Sequence, residues 1–236
     1  MNTAARIVII SLGFAACSQP LINDAEVYGN LRQIMQQNQL QARVKSNDLT
    51  INENSYALGA MADLEGELMI YEGEVWSSVA QHDSVLLTKP HHFEAALLVK
   101  SQVNNWEEVQ ISKPLSSMKE LEQQLAQLIE ERQATERIVP FRIEGEIAHM
   151  DWHVINAKEA TGSGHDAYRE AGFSGTTENQ TVKILGFYSR NHEGIFTHHG
   201  SFLHMHFIKA DEAMGHVDAL STKLPVTIYL PKNPIP

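Results

Sequence analysis

The chain has 236 residues, 43% hydrophobic and 20% charged, enough for one large or two small domains around a real core; this composition excludes both a disordered chain and a polytopic membrane protein. A formal net charge of −11, with no Lys/Arg cluster to offset it, repels phosphate and speaks against nucleic acid as a partner. The single cysteine, Cys17, leaves no disulfide pair, so stability has to come from the core or from a metal. In chain order, residues 1–17 (MNTAARIVIISLGFAAC) place one Arg before a short apolar run and small residues. That layout is an export signal, too short to span a bilayer as a mature helix. Residues 24–44 put Val27, Leu31, Ile34, Met35 and Leu40 on roughly one face and predict a polar helix. Residues 56–79 alternate, with turns at Gly66 and Gly73, and predict a β-meander; FEAALLV (93–99) predicts a buried strand. The clearest helix is 116–133, with Met118, Leu121, Leu125 and Leu128 at core spacing.

Period two returns at VPFRIEGEI (139–147), where Phe141, Ile143 and Ile147 face a core and Arg142, Glu144 and Glu146 share the opposite face. Residues 161–181, rich in Gly, Ser, Thr and Asn, predict a long loop. Strands follow at 181–188, 201–211 and 224–231. The pattern is α+β: two domains with mixed and antiparallel β-sheets and few helices, namely an N-terminal α/β sheet domain (18–135) and a mostly β C-terminal domain (136–236).

Chemistry concentrates in LHMHFIKADEAMGH (203–216). On a strand His204 and His206 project from the same face while Met205 and Phe207 pack behind, and His216 can return after a turn near Gly215 as a third ligand. Three neutral imidazoles suit zinc, and three protein ligands with an open position mark a catalytic rather than a structural site. A solvated strand carrying histidines is the plain alternative. His198 and His199 fit a turn or a supporting hydrogen-bond role. The spacing also resembles the cupin pattern, with Asp211 as its acidic member, which would give a non-haem metal enzyme.

Two resemblances extend this reading. Phe14-Ala15-Ala16-Cys17 resembles the lipobox of bacterial lipoproteins, which implies cleavage before Cys17, a lipid on its sulfur and a place in the cell envelope; an ordinary secretion signal accounts for the same layout. The segments LGAMADLEGELMIYEGEVW, PFRIEGEI, NQTVKILGFYS and HMHFIKADEAMGH, in that order, resemble the α-acetolactate decarboxylase family. The resemblance implies zinc on His204, His206 and His216, Glu67 as the acid/base carboxylate, Arg142 as the cation of the pocket, a small 2-hydroxy-3-oxo acid as substrate, and a homodimer. Taken alone, Arg142 reads as a surface ion pair and Glu67 as a solvated hairpin charge. The family also places a glutamate near its C-terminus in the site, whereas nothing after Asp218 is acidic here, which leaves Glu65 or Asp218 to fill the place, or a metal-binding lipoprotein weakened in catalysis.

Overall fold

The computed structural model describes residues 25–232; the segment expected to be an export signal, with Cys17, lies outside them. Strands β1 (Glu26–Tyr28), β2 (Val44–Lys45), β3 (Ser55–Met61), β4 (Glu67–Tyr71), β5 (Glu74–Gln81), β6 (Ser84–Thr88) and β7 (Glu94–Gln102) form one sheet in the order β1-β7-β3-β4-β5-β6, with β2 also on β7. β3, β4 and β5 are the expected meander. The helix expected over 24–44 is only α1 (Leu31–Gln37). Gly29 ends β1 at φ +86, so close to β7 that a Cβ would meet the Ala96 carbonyl oxygen at 2.1 Å. Asn30 then caps α1 through its side chain, and Asn38 stops it in the left-handed conformation.

The second sheet holds β8 (Trp106–Gln110), β9 (Val139–Val154), β10 (Phe173–Tyr188), β11 (Leu203–Lys209), β12 (Ala213–Ser221) and β13 (Thr227–Pro231). β8 thus pairs in this layer with β13, and α2 (Met118–Glu131) buries Leu121, Leu125 and Ile129 in its core. Ser117 caps α2, and Glu120 reaches back to the Ser116 N–H. β9 pairs with β10 from Val139↔Tyr188 to Val154↔Phe173 and again with β12, so β9, β10, β11 and β12 close into a ring. The residues expected as a loop over 161–181 are instead α3 (His165–Glu170) and the first half of β10. Their polar composition reflects a half-strand that is mostly exposed, with Thr177 buried, and whose ladder comes from the preceding strand β9.

Three apolar layers result. Phe141, Ile143, Met205 and Phe207 fill the ring; Leu58, Met69, Leu185, Phe187 and Met214 pack between the ring and the first sheet; Ala57, Leu68, Ile70 and Leu98 lie on that sheet's far face. Among the described residues no helix is long and apolar enough to cross a membrane.

Candidate metal centre

Alternation along β11 sends Leu203, Met205 and Phe207 into the ring, which turns His204 and His206 outward to the first sheet. Register then sets His206 opposite His216 on β12, and His216 opposite His153 on β9. His204, His206 and His216 each offer a nitrogen, and these atoms lie within 4.8 Å of one another. The His206 Nδ1–H donates to the Leu68 carbonyl at 3.1 Å, while its Nε2 is buried with no partner. His204 is hydrogen-bonded to the Phe196 backbone, and its Nδ1 is the unpartnered nitrogen. Burial, reinforced by the neighbouring imidazoles, holds His206 down to about 3 and His204 and His216 well below the ordinary imidazole value. All three are therefore neutral near pH 7, with lone pairs available, which is the state a metal requires. Two bare nitrogens in a buried, donor-poor place are costly unless something accepts them.

Glu67 opens β4, and the same period-two rule that puts Met69 and Tyr71 against the ring puts its side chain there. Gly66 makes the entry, at φ +135 and with room for a Cβ only at 2.2 Å from the Ser78 oxygen. Glu67 is 3% exposed. Its Oε2 stands 3.5 Å from His206 Nε2, and its Oε1 accepts the Ile155 N–H at 3.3 Å. Burial pushes its carboxyl up to about 8, with the Asp218 charge adding and the Ile155 N–H opposing, so that it is mostly a neutral acid at pH 7.

Glu67, His204 and His216 share a cavity of about 30 Å³, room for roughly one water, with an apolar wall that includes Leu31, Ile34 and Met35 of α1. Three further histidines line it. His153 donates from Nδ1 to Asp218, with both oxygens at 2.9 Å, and Arg169 Nη2 donates to Asp218 Oδ2 at 2.9 Å. His165 and His198 meet edge to face at 4.6 Å between their centroids. The sequence reading passed over His153 and His165. Alternation of His149, Asp151 and His153 was the available signal, but His149 is spent on an exposed pair with Asp151 at 3.2 Å.

Other candidates lie elsewhere. The structure does not bring Arg142 into this cavity. It sits across Leu185 from His206, Leu185 being the β10 residue opposite both. Its Nη1 donates to Tyr56 Oη at 3.1 Å and to Glu72 at 2.9 Å, and its Nη2 pairs with Glu144 at 3.1 Å. The rings of Tyr56, Tyr71, Trp106 and Tyr229 enclose it, and the Tyr71 hydroxyl bonds Glu144. Glu65 turns outward to Lys158 and His199 to Glu193, whereas Asp218 reaches the cluster through His153. Asp211, the acidic member of the cupin reading, is exposed in the β11–β12 turn beside Lys89.

The sequence matches the family model of alpha-acetolactate decarboxylase over residues 28–230. The chain belongs to the alpha-acetolactate decarboxylase family. That assignment sets the cupin reading aside and makes the protein a member of a carboxy-lyase family. Solved structures share the decarboxylase fold. The alpha-acetolactate decarboxylase of Bacillus subtilis strain 168 is 14% identical at TM-score 0.74, over 89% of this chain and 86% of that one. The acetolactate decarboxylase of Bacillus subtilis subspecies spizizenii is 15% identical at TM-score 0.71, over 90% and 88%. A Staphylococcus aureus protein of unknown function, described as similar to alpha-acetolactate decarboxylase, is 16% identical at TM-score 0.67, over 88% and 85%. No curated protein matches the sequence.

Proposed function

We propose that this family member converts (S)-2-acetolactate to (R)-acetoin with zinc held by His204, His206 and His216. The observation that carries the reading is the pair of buried, partnerless nitrogens on His204 and His206 beside the buried carboxyl of Glu67. An all-nitrogen set of three protein ligands suits zinc with a position left open for substrate. In 2-acetolactate the carboxylate is β to a ketone, so loss of carbon dioxide leaves an electron pair that delocalises onto the ketone oxygen as an enediolate. When bound, the metal supplies the Lewis acidity that stabilises charge on that oxygen. Glu67, a positioned acid, delivers its proton to the former carboxyl-bearing carbon from one side, which gives a single enantiomer of acetoin, and solvent restores the proton. The apolar wall receives the two methyl groups and excludes water. A cavity with room for one water is smaller than the substrate, so the wall from α1 has to yield on binding. Arg142, already paired with Glu72 and Glu144, enters this reading as a structural cation.

Export, a lipid anchor on Cys17 and a homodimer belong to the same proposal, supported by the N-terminal pattern and the family resemblance. Membrane partitioning that Cys17→Ser abolishes supports the anchor; a wholly soluble wild type with an unmodified N-terminus elsewhere rejects it. The activity is tested by acetoin release from acetolactate at one zinc per chain. A rate no higher than that of free zinc leaves a metal-binding protein on a decarboxylase fold.

A further inference from the structure

We infer that His153 is a further substrate-contacting residue, whose Nε2 accepts the C2 hydroxyl proton of the 2-hydroxy-3-oxo acid. The inference rests on the decarboxylase reading and names one more contact in that site. Its ground is the hydrogen-bond chain Arg169–Asp218–His153. A carboxylate can only accept, so with both Asp218 oxygens 2.9 Å from Nδ1 the ring presents an Nδ1 proton to it, which in the neutral tautomer makes Nε2 the acceptor. Arg169 Nη2, 2.9 Å from Oδ2, holds the carboxylate in place from its other side. The ring is 2% exposed and lines the cavity, 4.9 Å between centroids from His216 and 5.7 Å from His165. With Nδ1 engaged by Asp218, Nε2 is the ring's remaining nitrogen, and the ring that carries it lines the cavity the substrate would enter. An ionised 2-hydroxy-3-oxo acid has a carboxylate and a ketone, which only accept, and one donor, the C2 hydroxyl. A fixed acceptor in this wall therefore selects for that hydroxyl and orients the carbon that loses carbon dioxide.

The test uses two acids that cannot lose carbon dioxide, 2,3-dihydroxy-2-methylbutanoate and its analogue lacking the C2 hydroxyl, 3-hydroxy-2-methylbutanoate. Their affinities are measured on zinc-loaded protein, with metal content determined alongside. His153→Asn keeps a donor for Asp218 and removes the acceptor. Asp218→Asn keeps the ring, but Arg169 claims the amide oxygen, the amide NH₂ turns to Nδ1 and the ring proton is forced to Nε2. Each variant is expected to weaken the dihydroxy acid about tenfold, the loss of one hydrogen bond, and to leave the deoxy acid and the zinc content unchanged. Equal weakening of both acids, or of neither, in a wild-type background that releases acetoin overturns the inference and leaves the decarboxylase reading standing. A wild type that binds neither acid and releases no acetoin overturns both.

Discussion

Two buried polar clusters flank Leu185 between the ring and the first sheet, and they are built on opposite principles. On the β9 side Arg142 carries a full charge answered by two carboxylates, a tyrosine hydroxyl and four aromatic faces, so only its Nε lacks a partner. On the β11 side His204, His206, His216 and Glu67 are neutral near pH 7, no Lys or Arg lines the cavity, and two nitrogens are left bare. The charge of the first cluster is answered within the protein, with one guanidinium nitrogen left over; the second leaves two lone pairs converging beside an acid, which only something added can use. Unanswered polar atoms in a buried place are thus the better guide to a site than a buried charge.

The largest effect that separates the two is on metal content. His206→Ala should take zinc from about one per chain to near none, because two imidazoles cannot hold what three do, and elemental analysis reads this directly. Full occupancy in the His204→Ala/His206→Ala double variant would remove the site. Next, Glu67→Gln should retain zinc and fold yet lose about two to four orders of magnitude in acetoin formation, the range for a positioned acid. Turnover matching wild type, with the same enantiomeric excess, would show that the proton comes from elsewhere. Arg142→Met should reverse the pattern. Zinc content stays, while stability falls by about 3 kcal/mol, the low end for a buried ion pair losing one partner, since Glu72 and Glu144 can still hydrate. If the melting temperature holds and KM for acetolactate rises instead, Arg142 reaches the substrate and the two clusters are one site.

This contrast also explains what the sequence disclosed. His204, His206 and His216 were legible because the geometry that unites them is local, a two-residue period and one tight turn. Glu67 was singled out only through the family resemblance; taken alone it reads as a solvated hairpin charge, and its burial comes from the sheet register and the packing of the ring over β4. Arg142 was legible as a residue on the polar face of β9, but not its company: Tyr56, Glu72, Trp106 and Tyr229 come from four separate segments. His153 shares β9 with Arg142 yet reaches the histidines only because β9 is bent enough to pair with both β10 and β12. Closure of a ring is a long-range event with no local periodicity. For the same reason the exposed half of β10 read as a loop: its strand character is lent by its partner.

The pH dependence of the metal-free protein gives the smallest and most graded test of the neutral cluster. His206 is held down to about 3 and His198 to about 4, with His204 and His216 shifted the same way. Below their unfolded value of 6.5 the unfolded chain takes up protons that the folded one refuses, so stability rises with pH up to that point. Glu67 acts in the opposite sense. Its folded value of about 8 lies above the unfolded 4.5, so across that window the folded protein keeps a proton the unfolded chain has lost, and stability falls as pH rises. Between 4.5 and 6.5 the depressed imidazoles, His165 and His192 among them, outweigh one carboxyl and the slope is upward; it turns down only above about pH 7, once the unfolded chain has shed most of its histidine protons and the carboxyl remains. The melting temperature of the chelator-treated protein should therefore pass through a maximum at about pH 7. Glu67→Gln should flatten the descending side and keep the ascending one, since only the first depends on the carboxyl. A wild-type curve that keeps rising through pH 8 would mean that Glu67 is already ionised among its histidines, and the neutral cluster would then be a charged one like that of Arg142.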